Sequence, residues 1–168
     1  STAGSGSSSR LSMELMRNVG KFEVTFVPFK GGAPAVNAVL GGQVTGMLAS
    51  IGVVVNQIKA GKLTALGVSS ANRRNPLLPD VPPIAEVVPG FDAQSWIGMG
   101  VPAATPRPIV ERLNGAIVHA AQAQDVREKL ESQGMEVVAS GSGPYNDWVR
   151  TEVNKWRPLI QALKIQAE

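Results

Sequence analysis

An alternation that begins at Val24 narrows the possible folds more than any other feature of the chain. Val24-Thr25-Phe26-Val27 has the β-branched and aromatic make-up of a strand, closed by Pro28. Gly31-Gly32 and Pro34 then open a short helical period carrying Val36, Val39 and Leu40, and Gly41-Gly42 close it. Gln43 to Leu48 reads as a second strand and Leu63 to Val68 as a third. Between them lies Val53 to Lys59, ended by Gly61; its three consecutive valines suit a strand as well as a helix. Strand and helix units this short, in alternation, point to an α/β layer with a largely parallel sheet.

The flanks follow other patterns. Leu11, Leu15 and Val19 recur every fourth residue, with Met16 beside them and Gly20 as a stop, so a helix is expected there with Ser7 or Ser8 as its N-cap. Four prolines in the nine residues from Asn75 to Pro83 exclude regular helix or a central strand. A short helix around Ile84 to Val88 and a buried strand from Ser95 to Val101 come next. Thr105-Pro106 reads as a cap followed by an N1 proline, opening a helix with Ile109, Leu113, Ile117 and Ala120 on one face. Asp125 and Glu128 have capping-box spacing, with Gly134 as the stop. Tyr145, Trp148, Val149, Val153, Trp156, Ile160 and Leu163 form a last stripe from Pro144 onward, where Pro158 is expected to kink or split the helix.

Composition removes several classes of function. There is no cysteine, so disulfides, thiolate metal sites and thiol nucleophiles are excluded. The net charge of +3 comes from cations spread along the chain, with only Arg73-Arg74 adjacent, so no nucleic-acid partner is expected. The most apolar run, Gly46 to Ile58, is too short and too interrupted to cross a bilayer. The Ser1–Ser9 segment lacks the character of a signal peptide, so export would require a signal upstream of Ser1. His119, the single histidine, has no acidic or hydroxyl partner at a readable spacing, and metal ligands at useful spacing are missing. Neither a catalytic residue, a metal nor a cofactor is expected.

Two loops carry chemistry. Gly4-Ser-Gly-Ser-Ser-Ser9 precedes a helix, where free amides and the helix dipole attract an anion and hydroxyls add donors. It has neither a P-loop lysine nor dinucleotide-binding spacing, and an ordinary capped loop would look the same. Lys30-Gly-Gly-Ala-Pro34 is a second glycine-rich helix start, whose amides could approach a ligand closely or whose glycines could serve turn geometry alone. Starts that follow neighbouring parallel strands converge at the strands' C-terminal ends.

A resemblance rests on motifs spread over nearly the whole chain. They are Val27-Pro-Phe-Lys-Gly-Gly-Ala-Pro-Ala35, Leu40-Gly-Gly-Gln-Val44, Ile58-Lys-Ala-Gly-Lys-Leu63, Leu78-Pro-Asp-Val-Pro82, Trp96-Ile-Gly98, Val101-Pro-Ala-Ala-Thr-Pro106 and Asp125-Val-Arg-Glu-Lys-Leu130 before Gly134. In these the chain resembles the substrate-binding receptors of tripartite tricarboxylate transporters, the Bug-type receptors. The resemblance implies an α/β, type II periplasmic binding-protein-like fold that closes on a small carboxylate. Residues 1–95 would be most of the second, ligand-binding lobe, and residues 96–168 the strand and helices returning to the first lobe, whose N-terminal half, like the strand before Ser1, is absent.

On that reading Gly6, Ser7 and Ser8 contact one carboxylate, Gly31, Gly32 and Ala33 supply a second set of amides, and Ser50 lines the pocket. The implied partners are a small organic anion and the transporter's membrane subunits, in a periplasmic location. The intact receptor would be a monomer, whereas this shorter chain would self-associate. Departures from the family pattern leave the carboxylate unidentified: Phe29 stands where tyrosine is usual, Arg10 where histidine is frequent, and Ala49-Ser50 where Asp-Asn is common. The alternatives are a sensory receptor of the same fold or, from another class, a phosphate-handling enzyme using the Gly-Ser loop.

Overall fold

The computed structural model describes residues 1–4 and 6–165. They form two compact units, Ser1–Ser95, which residues 163–165 join, and Trp96–Ala162. No helix among them is long and apolar enough to cross a membrane.

The first unit contains three helices, α1 (Ser8–Gly20), α2 (Gly32–Leu40) and α3 (Ile51–Lys59), and a 3-10 turn over Ile84–Glu86. Their ends follow from local chemistry. Ser7 caps α1 by accepting from the Arg10 amide, and Lys21, at φ 54°, rather than Gly20, takes the left-handed position beyond it. Gly20 answers a packing need instead, since a Cβ there would come within 3.0 Å of the Phe22 ring. Behind α2 the Gly42 amide donates to the Val39 carbonyl and the Gln43 amide to that of Ala38. Gly42 at φ 68° makes this a left-handed helix stop, and Gly61, also at φ 68°, repeats it behind α3. The valine run of α3 is therefore helical.

The expected strands are the main departure. Val24–Val27, Gln43–Leu48, Leu63–Val68 and Ser95–Val101 carry no regular ladder; pairing consists of isolated bridges, two of them parallel, Thr2 with Pro28 and Val68 with Pro83. Both parallel bridges seat a proline at no cost. Thr2 donates to the Val27 carbonyl (3.1 Å) and accepts from the Phe29 amide (2.9 Å), so the missing N–H of Pro28 is never asked for. Val68 does the same with Pro82 and Ile84 around Pro83.

The core is small and lies wholly in this unit. α2 contributes Ala35, Val36 and Ala38 and packs on α3, which contributes Val54 and Val55; Val68, Leu78, Phe91 and Ala93 complete it. At Gly67 the chain passes close to the Pro82–Ile84 segment. A Cβ there would lie 2.7 Å from Ile84 Cγ1 and 3.3 Å from the Pro82 carbonyl oxygen. Without a clash, Gly→Ala is mildly stabilising through the unfolded chain. Here the bridged backbone of Pro82 to Ile84 cannot withdraw, so Gly67→Ala is expected to destabilise by about 1–3 kcal/mol in urea unfolding. An unchanged or raised midpoint would show that this packing is loose.

The second unit holds α4 (Arg107–Gln122), α5 (Gln124–Glu131) and α6 (Ser142–Ala162), with α4 packed on both others. Three local expectations are corrected. Pro106 itself is the N-cap of α4 and Pro108 enters its first turn, so Thr105 caps nothing. Ala123 both ends α4 and caps α5, which moves Asp125 inside the first turn and dissolves the capping box; Gln124 instead donates to Glu128 (2.8 Å). α6 runs unbroken past Pro158 for 21 residues. A proline this near a helix end removes one hydrogen bond, and the chain tolerates that loss.

Candidate anion-binding site

The Thr2–Pro28 bridge organises the site. Because it is parallel, the chain leaves Thr2 and Pro28 in the same direction, through one loop into α1 and through the other into α2. The two glycine-rich helix starts thus emerge side by side at one edge. The loops are close: an ideal Cβ on Gly4 would sit 3.9 Å from the Phe29 carbonyl oxygen.

Within the first loop the serines divide their work. The amide (3.2 Å) and the hydroxyl (2.7 Å) of Ser7 both donate to the Gly4 carbonyl, while its oxygen also meets Arg10 N–H and Ser9 Oγ. Ser9 Oγ in turn accepts from the Ala3 amide at 3.0 Å. Ser7 and Ser9 therefore shape the loop, and Ser7 has no donor left for a ligand. Gly4, at φ 128°, lets the chain fold back so that its carbonyl meets Ser7. Ser8 differs. It is exposed, and its amide and hydroxyl find no partner among the described residues. Gly6 beside it is also exposed.

At the second start the Gly31 amide is taken by the Phe29 carbonyl (2.9 Å), and its φ of 105° is one that side-chain-bearing residues rarely adopt. Gly32 and Ala33 are the first residues of α2, whose amides an α-helix leaves unused. A Cβ at Gly32 would meet nothing within 4 Å, so the fold itself does not demand glycine there. Ser50 is the N-cap residue of α3 but makes no side-chain cap. The segment before it is tied to Ser1, whose backbone nitrogen donates to the Gly46 carbonyl. The structure brings the two loops together, and among the described residues no hydrogen bond ties the Ser50 side chain to either.

Arg10, in the first turn of α1, is the cation nearest the first loop by sequence, yet its charge is committed. It pairs with Glu14 (2.6 Å) and lies 3.7 Å from the centre of the Phe26 ring. A hollow of about 270 Å³ lined by Arg17, Asn18, Lys21, Phe22 and Glu23 sits at the other end of α1, where the helix presents carbonyls and disfavours an anion. No group of three or more potential metal-binding His, Cys, Asp or Glu residues occurs among the described residues. Thr2 was not singled out from sequence, and Gly4 and Ser9 only as the ends of the glycine-serine loop. Only their mutual hydrogen bonds reveal them as the frame of the loop.

Residues 1–165 match the family model described as tripartite tricarboxylate transporter family receptor. A protein of the tcbD-tcbE intergenic region of Pseudomonas sp. (strain P51) is 36% identical over 168 residues, covering 99% of this chain and 50% of that one. One of the clcB-clcD intergenic region of Pseudomonas knackmussii is 32% identical over 160 residues, covering 94% of each chain. Among solved structures, R. palustris Rpa4515 with adipate superposes with a TM-score of 0.84 at 30% identity, over 95% of this chain and 54% of that one. The periplasmic binding protein BugD superposes with a TM-score of 0.84 at 29% identity, over 97% and 55%. The chain thus spans about half the length of the first of these relatives and of both structures, and nearly the whole of the second relative.

Proposed function

The chain belongs to the tripartite tricarboxylate transporter receptor family, a family of solute-binding receptors, and on that premise we propose that it forms one wall of a site for a small dicarboxylate. The reading places it in the periplasm, delivering its ligand to membrane subunits of such a transporter. The single observation behind it is the parallel Thr2–Pro28 bridge, which sets two helix starts side by side. Ser8, Gly32 and Ala33 would receive one carboxylate through helix-start amides, with Gly6 adjoining. Ser7 would act by holding the loop, Gly31 by turning the chain, and Ser50 by lining the margin. Amides serve this purpose because they present fixed positive potential without the cost of burying a counter-charge. The open space at Gly32 allows a ligand oxygen to approach the backbone, and adipate in the Rpa4515 structure supplies a chemistry of the right kind. Ser1–Ser95 corresponds, in this reading, to the ligand-binding lobe and Trp96–Ala162 to the return into the other.

Affinity in this chain alone is expected to be low, on the order of millimolar. A site that closes on a small ligand buries roughly 70–90% of it, which one wall does not achieve. Each direct contact to a charged oxygen that is missing forgoes about 1.5–3 kcal/mol. Titration with adipate, followed by amide chemical shifts, should move Gly6, Ser8, Gly32 and Ala33 first. Glutamate should move them less, because neither loop offers an acid to pair with its ammonium. Shifts scattered elsewhere, or a stronger response to glutamate or inorganic phosphate, would sink the proposal.

A further inference from the structure

The two loops meet through one peptide group. The Ala3 N–H donates to Ser9 Oγ at 3.0 Å, and the Thr2 carbonyl of the same peptide group accepts from the Phe29 amide at 2.9 Å. The Phe29 carbonyl in turn accepts from the Gly31 amide at 2.9 Å. A peptide group is planar and rigid, so a rotation that breaks its bond on one side disturbs its bond on the other. Thr2 is 1% exposed, and water has little access to replace its partner.

Behind that peptide group the hydroxyls form a chain with one direction. Ser7 has a single hydroxyl hydrogen, and the Gly4 carbonyl at 2.7 Å takes it. In the 2.9 Å contact between the two hydroxyls Ser9 is therefore the donor. The chain runs from Ala3 N–H to Ser9, from Ser9 O–H to Ser7 and from Ser7 O–H to Gly4, each bond polarising the next. Ser9 thus joins the end of the Thr2–Pro28 bridge to the N-cap of α1. Without its hydroxyl the Ala3 amide loses this acceptor, and the Ser7 oxygen keeps only the Arg10 amide.

We propose that Ser9 is a positioning residue of the proposed carboxylate site, holding the first helix start in register with the second without touching the ligand. This rests on the reading of the two loops as one site. Ser9 is half-buried in the first turn of α1, and its hydroxyl both donates and accepts within the loop. Its influence reaches Gly6 and Ser8 through Ser7, and Gly31 and Gly32 through the Thr2–Ala3 peptide group and Phe29. A ligand that meets both starts already in register does not have to order them, and ordering of this kind alters affinity severalfold.

Ser9→Ala in the 168-residue chain tests this. Alanine suits a helix better than serine, so α1 should keep its circular dichroism. Without ligand, hydrogen exchange of the Ala3 amide should quicken about tenfold, and the Phe29 and Gly31 amide resonances should move although they lie far along the chain. With adipate, the dissociation constant read from amide shifts should rise about fivefold. Ser9→Thr keeps the hydroxyl and should restore both exchange and affinity to within about twofold of the parent. Ser12→Ala, in the next turn of the same helix, should change neither. The proposal is overturned if Ala3 and Phe29 do not respond to Ser9→Ala, if Ser9→Thr behaves as Ser9→Ala does, or if adipate binds the alanine variant as well as the parent. A parent that ignores adipate would instead overturn the carboxylate reading, and the ligand-free comparison would still decide whether Ser9 joins the two loops.

Discussion

Phe91→Ala is expected to cost about 3–5 kcal/mol, the largest loss of any single core truncation in this chain. Phe91 is fully buried, and the other buried apolar side chains of its unit are alanines, valines and one leucine. A core made of small residues has few atoms able to move into the space an aromatic ring leaves, so most of the cavity would remain. The ring also sits at a junction. The Phe91 amide donates to the Val88 carbonyl (3.1 Å), and two residues later Ala93, itself 1% exposed, donates to Ser69 (3.0 Å) beside the Val68–Pro83 bridge. Against a total stability of about 5–15 kcal/mol for an ordinary domain, the variant should unfold partly without denaturant. Urea unfolding of Phe91→Ala and Phe91→Leu measures the effect, with the leucine variant expected to retain more than half of the lost stability. An alanine variant within about 1 kcal/mol of the parent would show that the ring is not the centre of this core.

That residue illustrates what the sequence withholds. Phe91 follows Pro89-Gly90 with no periodic neighbours, so no pattern marks it as core, and its burial depends wholly on segments distant in the chain. The helices were legible because their determinants are local. Leu11, Leu15 and Val19 set the face of α1, Ser7 caps it, and Gly42 after α2 and Gly61 after α3 stop those helices by taking φ of 68°. The strand segments were legible as composition but not as pairing, because a ladder needs a partner that the segment does not encode. Pro28, read as a strand terminator, and Pro83, read as part of a proline-rich stretch, both sit in parallel bridges, for a reason visible only once the flanking groups are seen to carry the hydrogen bonds.

The candidate site divides in the same way. Glycine and serine before a helix identified both loops, since helix starts always leave amides over. Which serine keeps its donors did not follow from spacing. Ser7 and Ser8 are equivalent on paper. The left-handed turn at Gly4 brings its carbonyl onto Ser7 and commits both Ser7 donors, leaving Ser8 exposed. Ser50 was attached to the site by resemblance alone, and it makes no side-chain cap that would add to that argument.

Glu14→Ala is expected to cost about 2–4 kcal/mol, for a reason that has nothing to do with packing volume. Glu14 is 3% exposed on the buried side of α1 and accepts from Arg10 at 2.6 Å and from Arg17 at 2.9 Å. Removing one partner of a buried pair leaves the other charges uncompensated, which is worse than never having buried them. Here the arginine side chains keep 27 and 29% of their surface, so they can turn partly toward water, and the loss falls below that of a fully enclosed triad. Arg10 has a further constraint. It lies in the first turn of α1, where the helix dipole opposes a cation, and the Glu14 carboxylate and the Phe26 ring are what hold it there. Glu14→Gln keeps the shape and loses the charge, and it should recover less than half of the deficit. A triple replacement, Arg10→Met with Glu14→Leu and Arg17→Met, removes all three charges together and should be more stable than Glu14→Ala alone, although it has three changes rather than one. Urea unfolding of the four proteins orders them. If the triple replacement proves the least stable, the network contributes net stability of its own; if Glu14→Ala is neutral, the two arginines do not depend on the carboxylate.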